Sequence, residues 1–308
     1  MANRFYSSKR IFKALMADLI YPIHLFQNEE LPSGKLLYDT HHHIRRFKKE
    51  IELEQVVDAF FDRCNIVNIT NTLGGPSRRA CPYEFFIEDV KSLRLKKFEI
   101  KMSDAYATVI NNGIKNLVFI KTQEVSCRNP YNKNHLIHIN LVGHDYVANN
   151  LNPEDILKLG NEKNCIAIVN HPFSIPHKYF KFWFPKEKDV SYLEKLCKAY
   201  NPNVEEFNMM NTLWLSASNS FAKDFVKKNN LIGVGSTDAH GSKLNFTLNM
   251  IGRAGTILDD NGELNDFKNY SGKEIVEAVK VILETTEVKI LNNPIDPWTF
   301  FNVMFWKV

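Results

Sequence analysis

The sequence predicts an α/β protein with a parallel sheet, and it favours closure of that sheet into a TIM-like β/α barrel. Seven strand-like apolar segments alternate with segments of helical periodicity, an order typical of parallel sheets. Polar residues follow several of these strands at their C-terminal ends, where barrel enzymes build their sites. No glycine-rich loop of the GxGxxG or GxxxxGK[ST] type follows a strand, which weakens a dinucleotide-binding or P-loop interpretation.

The predicted elements follow one another as strand and helix. The stretch KLLYDTHHH (35–43) predicts the first strand. In IELEQVVDAFF, apolar residues recur at i, i+3, i+4, i+7 and i+8, which indicates one face of a helix. The other strands are predicted at NIVNIT (65–70), NLVFIKTQEVS (116–126), HLIHINLVG (135–143), CIAIVNHP (165–172), NVEEFN (203–208) and LIGVGSTD (231–238). Further helices are predicted near 100–112, 190–199 and 215–229.

Two helix starts carry capping signals. Asn152 is followed by a proline and two acids, the pattern of an N-cap residue with proline at the first helical position. Ser271 and Glu274 form the pattern of a capping box. The helix that this box opens places Ile275, Val279 and Leu283 on one apolar face, together with Ile282.

Length and composition indicate an ordinary globular chain of 308 residues, 44% hydrophobic and 24% charged. We predict a helical extension over 1–34, the barrel over 35–290, and an aromatic tail over 291–308 that packs on the barrel. The start of the chain lacks a cleavage site and no run of about 18 apolar residues exists, so neither a signal peptide nor a membrane span is expected. Five scattered cysteines without a CxxC motif favour a reducing compartment, the cytoplasm.

Histidines and carboxylates recur at the predicted strand ends. His41 and His43 share one face of the first strand, because side chains alternate along a strand, and two such imidazoles can hold one metal ion. Five more potential ligands lie at later strands, namely Glu124, His138, His171, Asp238 and His240. A set of nitrogen and oxygen ligands without a thiolate suits Zn²⁺, Mn²⁺ or Fe²⁺, with Mg²⁺ as an alternative.

A single buried histidine is more often a satisfied core residue than a metal ligand, and DAHG by itself fits a turn equally well. Metal binding is therefore predicted from the whole set, because unrelated residues would not all fall at the same ends of successive strands. The other histidines are interpreted as structural or surface residues: His24, His42, His135, His144 and His177.

The series DTHHH, KTQEVS, HINLVG, VNHPFS, VEEFN and GSTDAHG resembles the polymerase and histidinol phosphatase (PHP) family over roughly residues 36 to 255. The resemblance implies a distorted seven-stranded β/α barrel that binds divalent metals and hydrolyses phosphoesters. It also implies one metal site made of His41, His43, Glu124 and Asp238. A second site would be made of Glu124 as a bridge, His138 and His171, and Glu124, Asp238 and His240 would be catalytic.

The sequence departs from this family where a third metal site is expected. Members usually carry a TDH motif after the second strand, and this chain has Asn71 and Thr72 there. Only His240 remains for a third ion, so we expect two metal ions and a third that is weak or absent. Arginines near the strand ends are candidates to contact a substrate phosphate in its place. They are Arg45, Arg46, Arg78, Arg79 and Arg253.

Three functions stay open at this point. The first is a two-metal phosphoesterase acting on a small phosphomonoester or a nucleotide. The second is a nucleic-acid phosphodiesterase or exonuclease, against which the modest net charge of +4 argues weakly. The third is a metal-binding barrel without catalysis. The aromatic and lysine-rich stretch 177–188 fits either base stacking or a self-packed loop, and the C-terminal tail fits a docked helix, a dimer contact or an exposed patch.

Overall fold

The fold is known from a computed structural model. It describes residues 30–47, 49–73, 81–93, 97–132, 136–144, 152–174, 187–211, 217–240, 244–260 and 262–293. Within these ranges, twelve strands form one sheet with helices packed against it. Most of the predicted N-terminal extension and of the aromatic tail lies outside them, so both assignments stay predictions.

The longest described strand is the fifth, which carries the central carboxylate of the site described below. The strands are β1 (Lys35–His43), β2 (Ile66–Leu73), β3 (Glu99–Ser103), β4 (Ala107–Asn111), β5 (Asn116–Arg128), β6 (Leu136–Val142), β7 (Ile166–Asn170), β8 (Asn203–Asn208), β9 (Gly233–Ser236), β10 (Ala239–His240), β11 (Ala254–Asp259) and β12 (Lys289–Asn292).

The helices connect these strands. In the described residues they are α1 (Glu50–Arg63), α2 (Tyr83–Ser92), α3 (Pro153–Glu162), α4 (Glu187–Tyr200), α5 (Ala217–Asn229), α6 (Leu244–Met250), α7 (Glu263–Asp266) and α8 (Gly272–Thr285). The predicted caps are present: the Asn152 side chain accepts a hydrogen bond from the amide of Glu154, and Ser271 and Glu274 form a reciprocal capping box.

The sheet is mixed and nearly closed. Its main path of nine strands runs β12–β11–β1–β2–β5–β6–β7–β8–β9. Strand β9, at one end of the path, approaches β1 near the other end, because the Thr40 hydroxyl on β1 donates to the carbonyl of Gly235 on β9, 3.0 Å away. The close approach requires glycine: a Cβ at Gly235 would lie 2.8 Å from the carbonyl oxygen of Gly255 on β11. The predicted barrel-like α/β architecture is therefore present.

Three features differ from the sequence prediction. Residues 99–111 form the hairpin β3–β4 rather than a helix, and Asp104 builds its turn by accepting hydrogen bonds from the amides of Tyr106 and Ala107. Strand β6 runs antiparallel to both neighbours, so the sheet is not all parallel. Two unpredicted strands, β11 and β12, add an antiparallel pair beside β1. The count of seven strands was therefore too low for the described residues.

A β-bulge in β1 determines which side chains enter the barrel. Three residues of β1 span the same length as two of β2 between the pairs Asp39–Val67 and His42–Ile69. The extra residue reverses the alternation, as bulges near functional sites often do. As a result His41 and His43 turn toward the barrel interior, and His42 turns outward, with its ring 5.0 Å from that of Phe60 on α1.

Candidate metal centre

Five segments of the chain bring the seven predicted ligands together at one end of the barrel. His41 and His43 end β1, Glu124 lies in β5, His171 follows β7, and Asp238 and His240 lie at and beyond the β9–β10 connection. His138 is the exception to the predicted position at a C-terminal strand end. It lies near the start of β6, and it reaches the same end of the barrel because β6 is antiparallel and pairs it with Asn170.

Glu124 lies at the centre of the cluster. Its carboxylate is buried and faces four imidazole rings. The distances are 3.8 Å from Oε1 to His41 Nε2, 3.4 Å from Oε2 to His43 Nε2, 2.8 Å from Oε1 to His138 Nδ1 and 3.6 Å from Oε1 to His171 Nε2. A carboxylate with both oxygens among imidazoles can bind two cations at once.

Asp238 is held in an unusual backbone conformation. Its φ is +46°, in the left-handed region that non-glycine residues seldom adopt outside turns and functional sites. Its amide donates to the carbonyl of His41, 2.8 Å away, which fixes this turn on β1. Its Oδ1 atom lies 3.5 Å from His41 Nε2, 3.6 Å from His43 Nε2 and 3.3 Å from His240 Nδ1.

The hydrogen bonds of three histidines leave Nε2 available for a metal ion. Nδ1 of His41 lies 3.3 Å from a Glu205 carboxylate oxygen, Nδ1 of His43 lies 3.0 Å from the carbonyl of Thr70, and Nδ1 of His240 lies 2.7 Å from the carbonyl of Asp238. An acceptor at Nδ1 holds the proton there and points the lone pair of Nε2 away, as for most metal-binding histidines.

The donor set fits a divalent cation. The Nε2 atoms of His41 and His43 lie 2.9 Å apart and face the same point between the carboxylates. Asp238 Oδ1 is buried and has no hydrogen-bond partner among the described residues, a costly state that a cation would relieve. Four overlapping ligand sets have their atoms within 4.8 Å of one another: His41–His43–Glu124, Glu124–His138–His171, His41–His171–Asp238 and His43–Asp238–His240.

The electrostatics of the cluster favour anionic carboxylates and a cationic His41 in the absence of metal. Burial tends to raise the pKa of Glu124 and Asp238, but nearby histidines outweigh it and hold both pKa values below their usual range. The main ones are His138 and His41 for Glu124, and His41 and His240 for Asp238. Burial tends to lower the pKa of His41, but Asp238, Glu124 and Glu205 raise it to about 10. A proton on His41 therefore occupies the place that a metal ion would take.

We expect metal binding to release protons and to strengthen with pH. With a pKa of about 10, metal-free His41 carries a proton at pH 7, which must leave before its nitrogen can bind a cation. Affinity should rise from pH 6 to pH 9, with about one or more protons released per chain at pH 7. Isothermal calorimetry in two buffers of different ionisation enthalpy measures this number. Equal heats in both buffers would contradict the expectation.

Thr72 stands at the position where the motif of a third metal site was expected. Thr72 of β2 pairs with Glu124 of β5, so it stands beside the central carboxylate, and its hydroxyl lies 3.5 Å from His43 Nδ1. The His240 side chain is 39% exposed, the most open of the seven ligands. Neither observation counts the ions, so a weak or absent third metal stays a prediction.

The structure describes three of the five candidate arginines, and each of the three contacts another residue of the chain. Arg46 forms a bidentate ion pair with Asp89, both N–O distances being 3.0 Å, and Arg45 lies 3.8 Å from Glu52. Arg253 donates from Nε to the carbonyl of Asn249. Arg78 and Arg79 lie outside the described residues. Contact of any of the five with a phosphate stays a prediction.

Glu205 was missed as an individual site residue by sequence reasoning. It lies within VEEFN on β8, is 1% exposed, and contacts His41 directly. Its neighbour Glu206 is less buried, and nothing in the sequence distinguishes these adjacent acids. The position of the strand beside the cluster marks both acids alike, so it gives no signal for Glu205 alone.

The described residues test only some of the remaining sequence predictions. The stretch 177–188 is described from 187 onward, where α4 begins, so its role in base stacking is untested. All five cysteines are buried free thiols, and the cytoplasmic location stays a prediction. Among the described residues, no helix has both the length and the hydropathy that a membrane span requires.

Comparison with known proteins gives matches to solved structures alone. No family model and no curated protein matches the chain. It is similar to a two-domain protein of Bacteroides vulgatus that contains a predicted PHP-like metal-dependent phosphoesterase, with 15% identity, a TM-score of 0.48, and coverage of 86% of this chain and 67% of that one. It is also similar to a candidate metal-dependent phosphoesterase of Bifidobacterium adolescentis, with 8% identity, a TM-score of 0.42, and coverage of 69% and 90% respectively.

Proposed function

We propose that the chain is a PHP-type metal-dependent phosphoesterase, which hydrolyses a phosphomonoester or a nucleotide with two divalent metal ions. The observation that carries the proposal is the buried carboxylate of Glu124 among four imidazole rings, with Asp238 opposite. The order of the sequence motifs supports the same class. Both the class of substrate and the number of metal ions are part of what we propose.

The residues divide into two ligand groups that share Glu124. His41, His43 and Asp238 would hold one ion, and His138 and His171 would hold the other. Bound divalent ions would lower the pKa of a water molecule and neutralise charge on the transferring phosphoryl group. The protein fixes the ligands before substrate arrives, through acceptors at Nδ1 of His41 and His43 and through the Asp238 turn. His240, as the most exposed ligand, would meet the substrate at the rim.

The test is hydrolysis of a generic phosphomonoester by metal-free protein and by the same protein reconstituted with Mn²⁺ or Zn²⁺. Turnover that appears with metal and disappears with chelator would support the proposal. Metal binding without turnover of any phosphoester would indicate a barrel that has lost catalysis. Cleavage of short oligonucleotides in preference to small phosphoesters would indicate the nuclease alternative.

We expect protein purified without chelator, or reconstituted with Zn²⁺ or Mn²⁺, to hold about two ions per chain, since the carboxylate of Glu124 joins two ligand groups. Elemental analysis on a known protein concentration measures this ratio. The double variant His138→Ala/His171→Ala, which removes one ligand group, should hold about one ion. A chain that holds no metal after reconstitution would exclude the proposed centre.

A further inference from the structure

Glu205 makes an unusually complete set of hydrogen bonds. Its carboxylate, on β8, is 1% exposed and accepts from four donors on four different segments. They are Nδ1 of His41, the hydroxyl of Ser236, the backbone amide of His171 and Nδ2 of Asn208. Two of these donors belong to proposed metal ligands, and Glu205 contacts them at atoms other than those that would bind the metal.

The Oε2 atom of this carboxylate faces two groups that can only donate hydrogen bonds. Oε2 accepts from the backbone amide of His171 at 2.6 Å and from Nδ2 of Asn208 at 3.0 Å. The Asn208 amide cannot flip, because its Oδ1 accepts from the amide of Met210 at 2.9 Å and its Nδ2 also donates to Asp238 Oδ2 at 3.0 Å. An acceptor is therefore required at the Oε2 position.

The other oxygen of the carboxylate faces the histidine that binds metal. Oε1 accepts from the Ser236 hydroxyl and lies 3.3 Å from Nδ1 of His41. A proton held on Nδ1 leaves the lone pair on Nε2, which faces His43, Glu124 and Asp238. If the group opposite Nδ1 were a donor, the neutral ring would carry its proton on Nε2 and could not bind the ion there.

We propose that Glu205 is a positioning residue that holds His41 in its metal-binding tautomer and supports the backbone of His171. The inference rests on the proposed metal centre. His171 has a φ of +26°, and its amide is one of the Glu205 donors, so the same carboxylate stabilises a strained ligand just after β7. Glu205 thereby links β1, the end of β7 and the Asn208–Asp238 pair.

The isosteric change Glu205→Gln tests this role without changing volume. The fixed donors on the Oε2 side require the amide oxygen there, so the NH₂ group must face Nδ1 of His41 and the Ser236 hydroxyl. The hydroxyl can turn and accept, whereas His41 must move its proton to Nε2. We expect metal affinity to fall about 10- to 100-fold, the usual loss for a partner of a metal-binding histidine. A purely structural role would change stability and leave affinity the same.

The matched control is Glu206→Gln, the same chemical change one residue along the strand. Affinity is measured by competition with a chelator for Zn²⁺, and circular dichroism compares the folds. Loss of affinity in Glu205→Gln alone, with a native spectrum, supports the proposal. Equal affinity in Glu205→Gln and wild type overturns it while leaving the metal centre intact. Wild-type protein that binds no Zn²⁺ overturns both.

A second measurement keeps the proposal testable if the variant does not fold. Nitrogen-15 NMR of the wild-type Zn²⁺ form distinguishes the two ring nitrogens of each histidine. We expect His41 to show a protonated Nδ1 and a metal-bound Nε2. A His41 ring bound through Nδ1, or one without a proton on Nδ1, would overturn the proposal.

Discussion

Glu124→Gln is expected to lower kcat/KM for phosphoester hydrolysis by about 10³-fold or more. The carboxylate lies among His41, His43, His138 and His171, so its loss affects both proposed ligand groups. Metal ions supply several kcal/mol of charge stabilisation to a transition state, and about 1.4 kcal/mol corresponds to a tenfold change in rate. The variant should also hold fewer ions, because an amide is a weaker ligand than a carboxylate.

The informative comparison is His240→Ala, for which we expect a smaller loss. His240 is half-exposed at the rim and belongs to one of the four ligand sets, whereas Glu124 belongs to two. Glu99→Gln, an exposed change on β3, controls for general effects of replacing a glutamate. Steady-state kinetics with added metal measure all three. Equal losses for Glu124→Gln and His240→Ala would indicate that a third ion takes part in catalysis.

Asp238→Asn is expected to abolish measurable hydrolysis and leave the fold intact. Asparagine has nearly the same shape and tolerates the positive φ of +46° better than most residues. Its amide oxygen can still accept from Nδ2 of Asn208, as Oδ2 of Asp238 does. The NH₂ group then replaces Oδ1, the buried oxygen nearest to His41, His43 and His240, so a charged ligand becomes a donor that faces the ion.

Three measurements on this variant separate its effects. Metal content should fall toward half of the wild-type ratio, turnover should be lost, and the thermal midpoint of the metal-free protein should stay close to that of the wild type. Asp58→Asn on α1 is the matched change at a partly exposed position. Full metal content together with near-normal turnover in Asp238→Asn would show that the β9–β10 turn is only a turn.

Much of the fold could be predicted from local patterns. The Asn152 cap and the Ser271–Glu274 capping box depend on neighbours in sequence, and both are present. The predicted alternation of strands and helices is present outside β3–β6 and β9–β10. The hairpin β3–β4 was not predicted, although Asp104 stands at its turn. The direction of β6 and the pairing of β11 with β1 depend on distant contacts, which no local pattern records.

The site was predictable at the level of residues and less so at the level of geometry. The alternation of side chains correctly paired His41 with His43 and separated His42, but the β-bulge that turns the pair inward appears only in the register with β2. We predicted His138 at the C-terminal end of its strand, but it lies near the start of β6. It still joins the cluster, because β6 runs antiparallel to β7 and pairs His138 with Asn170. Glu205 acts through a ring nitrogen on another strand, and such a contact has no signature in sequence.

The most direct test of the metal centre is an anomalous difference map from crystals of the protein reconstituted with Zn²⁺ and soaked in phosphate. We expect about two ions within the cluster. Glu124 should contact both, Asp238 should contact the ion held by His41 and His43, and phosphate should lie across the pair. Ions bound elsewhere, or an empty cluster after reconstitution, would contradict this expectation.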